Sequence, residues 1–102
     1  MEENKTMANI DIKNIPELRK GFKQYLAEYH SELAKPEIIA SDALYINSHD
    51  IGMTLEEAIN EKGTEKLKEK LKAHFIAIGR KNPTGQAHTY LRNFRFLKEY
   101  VT

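Results

Sequence analysis

Four histidines, His30, His49, His74 and His88, are the residues of this chain best suited to acid–base or metal chemistry, and their spacing supports neither. No two of them stand as H-x-x-x-H and no HExxH run occurs, so no helix can present two imidazoles to one zinc ion. His74 falls on an apolar helix face and reads as a half-buried structural histidine. His49 and Asp50 are adjacent in a predicted turn, an arrangement too common to mark an acid–base couple. Glu2-Glu3 and Glu56-Glu57 are also adjacent pairs. Neighbours on a helix point to different sides, so neither pair converges on one substrate atom. The chain has no cysteine, which excludes disulfides, thiolate metal sites and cysteine nucleophiles. No GxSxG, P-loop or GxGxxG run is present. The expectation is a non-catalytic module with no metal and no cofactor.

The remaining candidates suit polyanion recognition. Arg80 and Lys81 stand just before a helix start at Asn82-Pro83-Thr84. The N–H groups of Thr84 and Gly85 can receive a phosphate oxygen there, with the two cations beside it. Glycine at 85 allows a nucleic-acid backbone to come close. The plainer alternative is that Asn82 or Thr84 caps the helix and Gly85 plays no part in binding. Farther along, Arg92 and Arg95 are three apart and share a helix face with His88, a patch able to track phosphates or enter a groove. Arginines on an outer helix face can also be simply solvated. The candidate phosphate contacts are Arg80, Lys81, Thr84, Arg92 and Arg95.

The net charge of +1 hides a division between the halves. Residues 1–61 carry 6 Lys+Arg and 12 Asp+Glu, whereas residues 62–102 carry 10 and 3, so −6 stands against +7. Such asymmetry fits a polyanion-binding face, or two halves that attract one another. A length of 102 residues allows one domain of about 13 Å radius of gyration. Apolar runs are too short to span a membrane, and the polar start lacks the apolar stretch of a signal peptide. The expected location is the cytoplasm, with no membrane and no small-molecule partner.

The elements that must hold these residues read as helices. Met1 to Lys13 is aperiodic and is expected to be a flexible lead-in, with Ile10 and Ile12 tacked onto the core; 14–102 forms the domain. Leu18, Phe22, Tyr25, Leu26, Tyr29 and Leu33 predict a helix over 16–34 that Pro36 stops. A shorter helix is expected over 37–47, with Asp42 among apolar neighbours, and then a turn at Ser48–Gly52. Thr54-Leu55-Glu56-Glu57 is a capping box for a helix to Asn60. Thr64 caps a further helix over 65–79, striped by Leu67, Leu71, Phe75 and Ile78. From Pro83 onward Ala87, Tyr90, Leu91, Phe94, Leu97 and Val101 lie within about 60° of one line, the stripe of a core-facing helix. Phe96 lies nearly opposite. The fold class is all-α, a compact bundle of four to five helices.

The string from Arg80 to Tyr100, with Thr84, Tyr90, Leu91, Phe94, Phe96 and Leu97 at its landmarks, resembles the closing helices of the SAM-like N-terminal, or core-binding, domain of tyrosine recombinases (phage integrases). Gly21-Phe22-Lys23-Gln24-Tyr25-Leu26 is similar to that family's opening helix. The resemblance touches about half of the chain. It implies a helical domain that clamps one side of duplex DNA, with the chemistry held by a separate C-terminal domain. A reading from another class is a protein-interaction domain that docks through Phe96 and Tyr100 and through charge complementarity. The neighbourhood of Phe96 discriminates between the two.

Overall fold

The computed structural model describes residues 11–33 and 35–102, so the expected lead-in falls largely outside the described residues. Among them are six helices: α1 (Ile15–Tyr29), α2 (Pro36–Ala43), α3 (Tyr45–Ser48), α4 (Leu55–Asn60), α5 (Glu65–Ala77) and α6 (Pro83–Val101). The radius of gyration is 13.8 Å. The most extensive interfaces are α2 with α6 and α5 with α6, and α1 packs on both α2 and α6. The C-terminal helix is therefore the axis of the bundle. Its stripe is buried as the spacing requires: Ala87, Leu91, Phe94 and Leu97 are inaccessible, and Tyr90 and Val101 are half-buried.

Phe22, Phe75 and Phe94 form the bulk of the core, with Leu18, Leu26, Leu67 and Leu71 packed around them. Each large side chain taken out of water contributes about 1.5–3 kcal/mol, which holds a bundle of short helices together. Ile12 packs partly onto this core, as expected.

Local signals set most helix starts. Asn14 Oδ1 accepts the Glu17 N–H at α1. At α4, Thr54 and Glu57 exchange both bonds of the capping box, at 3.1 and 2.8 Å. The stop of α5 is a glycine-terminated turn: Gly79, at φ +77°, donates to Ile76 O, and Arg80 N donates to Phe75 O. A left-handed backbone at that position is cheap only for glycine.

Five expectations need correction. The first helix ends at Tyr29, not near 34, because His30 leaves helical geometry to seat its ring 4.7 Å from Phe96 and its Nε2 3.2 Å from Glu99. Tyr29, expected on the stripe, is 68% exposed. The 37–47 helix is split at Leu44, whose tightened turn swings Tyr45 toward His74, Phe75 and Tyr90. At α5, Thr64 makes no side-chain cap. The Glu61 carboxylate caps α5 instead, accepting from Lys66 N at 2.7 Å and Leu67 N at 3.3 Å. Ile78 lies past the end of α5 and is 50% exposed.

Candidate nucleic-acid interface

The five candidate residues fall into three environments. Arg80 is half-buried and committed to the fold. Its guanidinium lies over the Phe75 ring, 5.0 Å from the centroid, and donates to Gln86 Oε1 at 2.8 Å. The neighbouring Tyr90 hydroxyl favours its charged form further. A planar cation stacked and forked in this way ties the end of α5 to the first turns of α6. Arg80 is thus a strut between helices.

Lys81 and Thr84 are exposed at the start of α6. The first-turn donor at Gly85 is already taken, because Asn82 Oδ1 accepts its N–H at 3.1 Å. Asn82 holds a left-handed backbone, φ +53°, to place that cap. Gly85 is small for the same reason: a Cβ there would stand 2.8 Å from Asn82 Cγ. The close approach that glycine permits is by the capping side chain. The plainer alternative holds at this residue, and the expected phosphate donor at Gly85 does not.

Arg92 and Arg95 are exposed on the middle of α6. At about 100° per residue, Thr84, His88, Arg92 and Arg95 fall within an arc of about 80°, and all four are exposed. From Thr84 to Arg95 the line extends about 16 Å along the helix. Arg95 is anchored at one end of its fork, donating to the Thr64 hydroxyl at 3.2 Å. Arg92 stands near Asp42, as does Arg80. Burial raises the Asp42 carboxyl above its usual range, while the Asn93 hydrogen bond and the two cations oppose that rise. Asn93 Nδ2 donates to Asp42 Oδ2 at 2.8 Å from an almost inaccessible position. Sequence reasoning missed Asn93, and the only signal was the unexplained carboxylate at Asp42 among apolar residues.

One turn beyond Arg95, on the same outward side, Glu99 ends the basic line. Its carboxylate accepts the Tyr25 hydroxyl and sits 3.2 Å from His30 Nε2. Those contacts, the tyrosine first, hold the carboxyl below the usual range, and in return Tyr25 is pushed up to about 12, chiefly by burial. Phe96 is half-buried against His30, and Tyr100 packs on Phe22 and Tyr25 at ring separations of 5.9 and 5.1 Å. The two aromatics expected as a docking surface are thus engaged, Tyr100 by α1 and Phe96 by His30 just past its end.

The histidines form no metal centre among the described residues. His74 is half-buried, as expected, and its Nε2 pairs with the Tyr45 hydroxyl at 2.8 Å. His49 stacks on Tyr45, with ring centroids 3.9 Å apart. No helix among the described residues is long and apolar enough to cross a membrane. Comparison of the chain with protein-family models, characterised proteins and solved structures finds no match to any of them.

Proposed function

We propose that this domain is a non-catalytic module that grips duplex DNA, mainly through phosphate contacts made by the outward face of α6. The observation that carries the reading is the single exposed line of Thr84, His88, Arg92 and Arg95, with Lys81 at its head. Phosphate contacts need cations and hydroxyls on one face with regular spacing, and they position a protein without reading sequence. Arg80 drops out of the contact set because its guanidinium serves the fold. The resemblance to recombinase core-binding domains points the same way and assigns any strand chemistry to a separate domain. Docking through Phe96 and Tyr100 has less support, since Phe96 packs on His30, just past α1, and Tyr100 packs on Tyr25.

The test is fluorescence anisotropy with a duplex oligonucleotide across a range of salt concentrations, comparing wild type with Arg92→Glu/Arg95→Glu. Each neutralised phosphate contributes about 0.9 to the slope of log affinity against log salt. The double variant is expected to flatten that slope by about 2 while circular dichroism stays that of a folded helical protein. Arg92→Ala alone should weaken binding and leave thermal stability nearly unchanged, because the side chain is exposed. A folded wild type that ignores duplex DNA at low salt sinks the proposal.

A further inference from the structure

Helix α5 carries four lysines at alternate positions, Lys66, Lys68, Lys70 and Lys72, and the fold sorts them into two pairs. Lys66 and Lys70 line an open groove of about 640 Å³ between α4 and α5, together with Glu56, Glu57 and Glu61. The Glu57 carboxyl is held below its usual range, first by the Thr54 backbone and hydroxyl and then by the charges of Lys66 and Lys70. Lys70 also lies against Gly52, ahead of α4. This pair already faces carboxylates.

Lys68 and Lys72 lie on the opposite flank. They follow Thr64, whose hydroxyl accepts from Arg95, by one and two turns. At about 100° per residue they stand about 40° and 80° round from Thr64, whereas His74 stands about 80° round the other way, toward Tyr45. Both are half-buried, as expected for lysines that lay their stems along a neighbouring helix and keep the ammonium in water. The Arg95–Thr64 hydrogen bond sets the start of that flank beside the basic line of α6, and the two helices pack along each other from there. Glu65 and Glu69 stand next round α5, about 100° and 140° from Thr64, each three residues before one of these lysines.

We infer that Lys68 and Lys72 extend the phosphate track from α6 onto the adjoining flank of α5, so that the DNA backbone lies across the α5–α6 pair, while Lys66 and Lys70 serve the acidic groove and touch no phosphate. The inference rests on the reading of α6 as the DNA-binding face, and the experiment separates the two.

Salt-dependent anisotropy is measured for wild type, Lys68→Gln/Lys72→Gln, Lys66→Gln/Lys70→Gln and Arg92→Gln/Arg95→Gln. Glutamine keeps most of the aliphatic stem, and Lys68→Arg/Lys72→Arg restores the charge should the glutamine pair disturb packing. The expected result is a slope lower by about 2 for the Lys68/Lys72 pair, recovered by the arginine variant, and an unchanged slope for the Lys66/Lys70 pair. Equal loss from both lysine pairs would mean a diffuse field and would overturn the inference. So would a loss confined to Arg92/Arg95, which leaves the α6 reading intact. Absence of wild-type binding removes both.

Discussion

The two ends of α6 are held by opposite strategies. At its start Asn82 caps Gly85 three residues away, and Arg80 reaches Gln86 six residues away. At its end Tyr25 of α1 and His30 just beyond that helix reach Glu99 across separations of 74 and 69 residues, and Phe22 meets Tyr100. The first end is written in adjacent residues and can form as soon as the helix does. The second exists only once α1 has docked. The exposed cations lie between them, so their line is straight only while both ends hold.

The largest effect should come from the middle, on which both ends depend. Leu91→Ala is expected to cost about 2–5 kcal/mol by chemical denaturation, because a core leucine leaves a cavity. A smaller loss would show that the ends carry more of the fold than the centre. Next, Gly21→Ala sharpens the distant end. A Cβ at Gly21 would overlap the Tyr100 hydroxyl and come within 3.3 Å of its ring carbon Cζ. Overpacking of this kind costs about 1–3 kcal/mol, against about 1 kcal/mol gained in helix propensity. The variant should therefore be neutral to destabilising, and Tyr100→Phe should restore part of the loss in a double-mutant cycle.

The local end should respond more weakly. Asn82→Ala is expected to cost about 0.5–2 kcal/mol through loss of the cap. Gly85→Ala should cost nearly the same in wild type by displacing Asn82, yet become mildly stabilising once Asn82 is alanine. Additive losses in that cycle would break the account of Gly85. The smallest effect is one of pH. Because Glu99 is held below its usual range, its contribution is present above about pH 4.5 and is lost as acid carries the pH down through the lowered value. Melting of wild type should therefore fall further between about pH 5 and about pH 3 than melting of Glu99→Gln. Equal falls would show that the carboxylate adds nothing to the distant end.

The same contrast explains what could be read in the chain beforehand. The stripe of α6 and the Thr54–Glu57 capping box are local, and spacing alone located them, while the α6 cap was narrowed to Asn82 or Thr84. The α1 boundary was misplaced because residues 30–33 keep helical spacing while His30 answers to Phe96 and Glu99, far away in sequence. Thr64 looked like a cap for its helix, yet its hydroxyl serves Arg95 and Glu61 takes the capping role. At the candidate interface, Lys81, Thr84, Arg92 and Arg95 are exposed as their positions suggested. Arg80 is not, since nothing local announces that its guanidinium will turn back over Phe75.

Lys98, in the last turns of α6, donates to the Glu61 and Gly63 carbonyls, the latter at 2.8 Å. The loop it grips is the one from which Glu61 caps α5. The first turn of α5 and the last turns of α6 are thereby tied through one loop. Their amide hydrogens should exchange with solvent together, in a shared opening, although the two segments belong to different helices.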